Sequence, residues 1–461
     1  MNQFDKKTIE QIIALYDKLQ DKSLLDREHP EQPCSEGRSE YARDYARILY
    51  SSSFRRLQGK MQIIGINSTA FYRNRLTHSL EVSQIARSLA KILAYKCGQE
   101  QNMYRDDELY LLDAAALAHD IGHPAFGHKG ERVLSDIADV YKLRFEGNAQ
   151  NYKVLRKLDQ HGSSAKGLNL TFRTMLAINK YLDCEDQQNS KGEFVKKFMY
   201  KDDYEHLNKY RNNHQLKGVR TLDVQIIELA DDIAYAVHDL EDGLAQNVFT
   251  VDELIFEMSN YGSNPKNTFA RGDIDNAIEL FQGYIENIKN DIKAENLQQF
   301  SHLVRKKLVS CLTDNLIRSI SYDDTSCELV LGNNHATLCK LLAKTIFTCI
   351  TRNPEVAIYE KKGEIVIRTL FNLYVDPNVN QGYMLLPPDY RPNSTDSSEV
   401  IARCCIDYIA GMMDTFAIAE YERLTGISFE RINILKIPDI LDLRKKENWM
   451  VKIFKKMWLK Y

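Results

Sequence analysis

Residues 109–121 are apolar almost all round, and this run constrains the fold more than any other stretch. A helix without a polar face belongs at the centre of a larger body, wrapped by neighbours. The run closes on His119-Asp120 and is followed by Gly122-His123-Pro124. Pro124 disfavours helix at His123, so the helix ends just after the pair and the chain turns across its end. In isolation the pair has a bland reading: a buried imidazole bonded to a carbonyl, beside a helix-terminal Asp. The residues that follow weigh against it. His119, Asp120, His123, His128 and Glu131 crowd one short stretch beside two glycines, an odd economy for structure alone.

Helical periodicity recurs at residues 79–93, 222–244, 275–292, 303–320 and 401–424, with an amphipathic helix around 9–19. Strand signals are few, at 364–370 and 328–331. Breakers gather at 122–124, 260–267 and 386–398. Residues 182–219 are rich in Lys, Asp and Asn and read as a surface insertion with mobile parts. The expectation is an all-α protein with minor β-hairpin elements. An N-terminal helix and arm would occupy 1–40. A catalytic core would fill 41–250 with a polar insertion near 183–218, and a C-terminal helical lobe with a basic tail 251–461.

Composition bounds the partners. A 44% hydrophobic content supplies ample core, and a net charge of −3 gives no global attraction to nucleic acid or acidic membranes. Nine cysteines without a CxxC pair read as reduced thiols of a cytoplasmic protein. The polar N-terminus is not a signal peptide, and no apolar stretch is long enough to span a bilayer. Residues 444–461 are strongly basic and hold both tryptophans. Such a tail suits single-stranded nucleic acid by charge and stacking, or an amphipathic helix docked on the body or a neighbouring subunit.

Four positions can supply one metal: His78, His119, Asp120 and Asp231. Two imidazoles and two carboxylates suit Mg, Mn or Fe, and the lack of a thiolate argues against structural zinc. A metal so held orients a phosphate ester and activates water, which is phosphohydrolase chemistry. On a helix restarting after Gly127, His128 and Glu131 share a face, placed for proton transfer. The other reading is a solvated His and a first-turn Glu. Asp231, Tyr235 and Asp239 form an i, i+4, i+8 row that can offer a ligand, a ring for a sugar and a carboxylate for a hydroxyl. The row could also be a solvated acidic face, although Ile226, Ile227, Leu229, Ala230 and Ala234 embed it. Arg47, Arg55, Arg56 and Arg75 could clamp phosphate, Arg75 best, one turn before His78. No Walker or dinucleotide fingerprint occurs, so phosphate must be handled by metal and basic side chains.

The ordered blocks are Arg43-Asp44-Tyr45-Ala46-Arg47, Phe54-Arg55-Arg56-Leu57-Gln58-Gly59-Lys60, Arg75-Leu76-Thr77-His78-Ser79-Leu80-Glu81, Ala118-His119-Asp120-Ile121-Gly122-His123-Pro124, Phe126-Gly127-His128-Lys129-Gly130-Glu131, Phe145-Glu146-Gly147-Asn148-Ala149-Gln150, Ala230-Asp231-Asp232-Ile233-Ala234-Tyr235 and Asp407-Tyr408-Ile409-Ala410-Gly411-Met412-Met413-Asp414. Together they resemble the deoxyguanosinetriphosphate triphosphohydrolases of the HD-domain superfamily. The resemblance implies hydrolysis of dGTP, or of other dNTPs, to deoxynucleoside and inorganic triphosphate by attack at the α-phosphorus, in control of dNTP pools. It implies His78, His119, Asp120 and Asp231 as ligands of Mg2+, Mn2+ or Fe2+, and His128 with Glu131 as the catalytic pair. Gln58 would meet the sugar 3′ side and Arg75 the phosphates. Tyr235 and Asp239 would meet the deoxyribose, and His123 would also contact substrate. Relatives form dimer-based homo-oligomers up to hexamers, and a dNTP or single-stranded DNA effector is open.

One block differs from the pattern of eukaryotic relatives and another from the family's own. Gly147-Asn148 stands where SAM-and-HD-domain relatives carry a further histidine, and Asp414-Thr415-Phe416-Ala417 stands for the more usual Asp-Arg-Tyr-Ala. The competing readings are an HD nucleotide phosphatase or phosphodiesterase, and a non-catalytic nucleotide or nucleic-acid sensor.

Overall fold

The computed structural model describes residues 3–34, 37–62, 73–161, 165–262 and 269–434. The basic tail at 444–461 lies outside the described residues. Among those described, seventeen α-helices make the fold, and sheet is confined to two small antiparallel pairs. The all-α expectation holds. The apolar run forms helix Asp106–Ala118, with Leu111, Leu112 and every residue from Ala114 to Ala118 buried. Helices Glu40–Leu49, Arg75–Lys96 and Phe172–Ile178 pack around it, and Leu222–Ala245 lies against Arg75–Lys96. The hairpin Ile320–Asp323 with Glu328–Leu331 pairs Ile320 with Leu331, so the strand expected at 328–331 is present. No helix among the described residues is long and apolar enough to cross a membrane.

A second core forms where helix Gly127–Val140 packs on Pro354–Val375, which also meets Ser398–Ala410 and Asp414–Thr425. Two expectations are corrected here. Residues 364–370 are not a strand but the middle of helix Pro354–Val375. Ile365, Val366, Ile367, Leu370 and Phe371 are all buried because the helix has partners on several sides, and that erases the helical period from its sequence. The helix expected over 401–424 is two, interrupted at 411–413, with Gly411 N–H closing onto Asp407 and Tyr408 carbonyls. Within the polar stretch 182–219, helix Lys201–Asn213 forms and Phe198, Met199 and Tyr200 are buried.

Candidate metal-dependent active site

Two helix ends and the middle of a third helix deliver the site. Asn74 caps helix Arg75–Lys96: its Oδ1 accepts from Thr77 N–H at 3.0 Å, and Thr77 Oγ1 accepts from Asn74 N–H at 3.1 Å. The helix therefore begins at Arg75, and His78 lies one turn on, on the same side. His119 caps helix Asp106–Ala118, and its Nδ1 donates to the Ala116 carbonyl at 2.6 Å. That bond leaves Nε2 as the free imidazole atom. The chain can turn directly after the pair only because residue 122 is glycine, since a Cβ there would lie 2.1 Å from Asn151 N and 2.3 Å from the Gly147 carbonyl. Asn151 Nδ2 also donates to the His119 carbonyl at 3.0 Å, pinning the turn. Thr221 caps Leu222–Ala245 and brings Asp231 in from the third side.

One ligand-capable atom from each of His78, His119 and Asp231 lies within 4.8 Å of the others. His78 Nε2 sits 3.0 Å from Asp231 Oδ1, and His119 Nε2 lies 3.6 Å from both Asp231 Oδ1 and Asp120 Oδ1. Asp120 borders the group but is turned toward Arg75 Nη1 at 2.5 Å and His123 Nδ1 at 3.0 Å. His119 Nε2 is buried and has no hydrogen-bond partner. A buried polar atom is ordinarily satisfied, so this one asks for something beyond protein. Burial lowers the pKa of His119, yet Asp120 and Asp231 outweigh it and raise it to about 9. Burial raises Asp231, but His119, His78 and Lys180 hold it well below the usual carboxylate range. An ionised carboxylate and two imidazoles, one with Nε2 unpartnered, fit a divalent cation, which would take the place of the proton that Asp120 and Asp231 favour on His119.

A cavity of about 160 Å³ opens above this cluster. Arg75, Lys180 and Lys197 bring positive charge to its wall, beside His123, and Lys180 Nζ reaches within 4.0 Å of Asp231 Oδ2. His128 lines it too, with its side chain 49% exposed and Nδ1 3.6 Å from Glu131 Oε2. Glu131 stands behind it and also accepts from Gly147 N–H at 3.0 Å. Burial raises the Glu131 carboxyl, but His128, His123 and Lys197 reverse that and keep it ionised. Tyr235 lines the cavity; Asp239, one turn further, is buried outside the lining with Oδ2 unpartnered. Burial, with Asp242 beside it, raises the Asp239 carboxyl well above the usual range.

Gln58 is exposed and does not line the cavity; Gln62 does. Of the four arginines, Arg75 alone reaches it. Arg47 is spent on Glu31 and the Leu168 and Asn169 carbonyls, and Arg56 bonds Ser53. Lys180, Tyr181, Glu228 and Lys197 are cavity residues that the sequence reading missed. Glu228 stands three positions before Asp231 and was legible by helical spacing. The two lysines sit in no motif, and chain folding alone brings them there.

Residues 75–236 match the HD domain, and 329–423 match the phosphohydrolase-associated domain. The chain is 39% identical over 393 residues to the deoxyguanosinetriphosphate triphosphohydrolase-like protein 2 of Vibrio cholerae, covering 85% of this chain and 90% of that one. The chain belongs to the deoxyguanosinetriphosphate triphosphohydrolase-like family of HD-domain proteins. The similarly named protein of Shewanella pealeana is 32% identical, over 84% of this chain and 92% of its own. Asn148 lines the cavity, its Nδ2 donating to Glu146 Oε1 at 3.0 Å. The stretch 414–417 divides by burial. Asp414 and Ala417 are fully buried, while the substituted Thr415 and Phe416 face solvent.

Proposed function

We propose that this protein hydrolyses dGTP, and other deoxynucleoside triphosphates, to the deoxynucleoside and inorganic triphosphate. The observation that carries the reading is the convergence of His78, His119 and Asp231 beneath a cavity walled by Arg75, His123, Lys180 and Lys197. Relatives named deoxyguanosinetriphosphate triphosphohydrolase-like supply the substrate class. His78, His119, Asp120 and Asp231 would hold Mg2+ or Mn2+, with Fe2+ also suited to the donor set. Bound there, a divalent cation polarises a phosphoryl oxygen and yields a nucleophile from water at neutral pH.

The chain's own groups do the remaining work. Arg75, fixed by Asp120 with Nε unpartnered, and the ammonium groups of Lys180 and Lys197 orient phosphate oxygens and balance their charge. His128 turns Nδ1 to Glu131 and keeps Nε2 for exchanging a proton with substrate; the ionised Glu131 orients the ring. Such a pair contributes roughly 10²–10⁴-fold, and its hydrogen bond commonly tightens only when substrate is present. The Tyr235 ring would pack on the deoxyribose, with Asp239 behind it. There a 2′-hydroxyl left without a partner costs about 1–3 kcal/mol. Incubation with dGTP and Mn2+, followed by separation of products, tests the reading. Inorganic triphosphate released in one step supports it. Stepwise phosphate release would mean a nucleotide phosphatase, and no product a sensor.

A further inference from the structure

Lys60 is buried, and among the described residues no carboxylate lies within ion-pairing distance of it. Its ammonium donates instead to three backbone carbonyls: Ile121 at 3.4 Å, His123 at 2.5 Å and Ala410 at 3.1 Å. Two of these belong to the turn that follows His119-Asp120. The third is the last residue of helix Ser398–Ala410, where orphan carbonyls concentrate negative potential. Burial and the charges of Arg56 and Arg75 push the lysine down to about 7, so its position is maintained against a real desolvation penalty.

The other end of the same loop is held from the same seam. Phe126 precedes helix Gly127–Val140 in the left-handed region, φ 62° and ψ 29°, uncommon for a bulky residue. Its N–H donates to Asp414 Oδ1 at 3.1 Å, while Tyr359 donates to Asp414 Oδ2 at 3.2 Å. Asp414 opens helix Asp414–Thr425, just past the interruption that follows Ala410. The seam is tight, since a Cβ on Gly59 would sit 2.6 Å from Met413 Sδ.

We infer that Lys60 and Asp414 are positioning residues: they clasp the two ends of the 121–126 loop to the C-terminal helices and thereby set His123, and His128 in the first turn of the helix that follows, over the cavity. The inference rests on the proposed reaction for its kinetic consequence but not for its structural one. It explains why the phosphohydrolase-associated region, which supplies no residue to the cavity lining among those described, accompanies the catalytic one. The Asp414 carboxylate acts through the backbone of Phe126 and touches no substrate group.

Asp414→Ala and Asp414→Asn separate this role from general stability, because Asn keeps the Oδ1 acceptor. Hydrogen exchange of peptides spanning 121–130 should speed up at least tenfold in Asp414→Ala and in Lys60→Met. In Asp414→Ala, dGTP turnover should fall at least tenfold with KM within about threefold and Mn2+ stoichiometry unchanged. Asp414→Asn should recover exchange protection and turnover to within about threefold of wild type. Unchanged protection at 121–130 in Asp414→Ala, or Asp414→Asn as damaged as Asp414→Ala, overturns the clasp. If Lys60→Met fails to fold by circular dichroism, the Asp414 pair decides. If wild type cleaves no dGTP, the reading of function fails while the exchange arms still judge the clasp.

Discussion

Two buried polar centres share the helices of the first core, and they are built on opposite terms. Around Arg173, every charge is answered. Its Nε and Nη2 bond Asp223 at 2.9 and 3.3 Å, and Nη1 bonds Glu108 at 2.8 Å. Tyr104 donates to Asp223 at 3.0 Å; Tyr16 and Gln20 donate to Glu108 at 2.5 and 3.0 Å. Around His119, the opposite holds. His119 Nε2 and Arg75 Nε lack hydrogen-bond partners, as does Asp239 Oδ2. Glu108 opens the helix that His119 closes, and Asp223 lies in the first turn of the helix that carries Asp231. The satisfied network thus ties together the starts of two helices that carry His119, at the end of one, and Asp231, in the middle of the other, into the site. Polar groups that complete one another make structure, and groups left incomplete wait for a ligand.

Substitutions that exchange the properties of the two centres break or sharpen this contrast. His119→Ala or Asp231→Ala should abolish hydrolysis while leaving the helical signal and cooperative unfolding in place. Full activity of either at saturating Mn2+ would remove both from the ligand set. Arg173→Met should do the reverse, costing about 3–5 kcal/mol because Asp223 and Glu108 are left buried without a countercharge. Urea unfolding measures this, and a loss below about 1 kcal/mol would deny the network its structural role.

Smaller effects are expected as the side chain moves from the ligand cluster to the cavity wall. His128→Ala should keep its metal and bind dGTP, yet lose about a hundredfold or more in turnover, on the scale of general acid–base catalysis. Loss of metal instead would make His128 a ligand. Tyr235→Ala should weaken cleavage of dGTP and narrow its preference over GTP, by about tenfold if the ring leaves a 2′-hydroxyl unpaired. An unaltered dGTP:GTP ratio of kcat/KM would take the sugar filter away from this ring.

How far the chain could be read follows from the same contrast. His119, Asp120 and Asp231 stood out because a polar pair closing an apolar helix, and an Asp embedded among Ile and Leu, are locally anomalous, whereas His78 was singled out by its block, Arg75 to Glu81. The structure brings His78, His119 and Asp231 together, with Asp120 beside them. Arg173 carried no such signal: a lone arginine after Thr171-Phe172 looks like any surface residue until Glu108 and Asp223 arrive from distant helices. Lys180 and Lys197 were hidden for the same reason, because long side chains reach the cavity from segments without periodicity. The strand expected at 364–370 failed because burial on several sides removes the amphipathic pattern by which helix is told from strand.

Titration with Mn2+ followed by electron paramagnetic resonance tests most directly whether the incomplete centre is a metal site. Wild type should take up about one tightly held ion per chain, and Asp231→Ala none at the same concentrations, while folded Arg173→Met keeps it. Equal tight binding by wild type and Asp231→Ala, or none by wild type, would contradict the account.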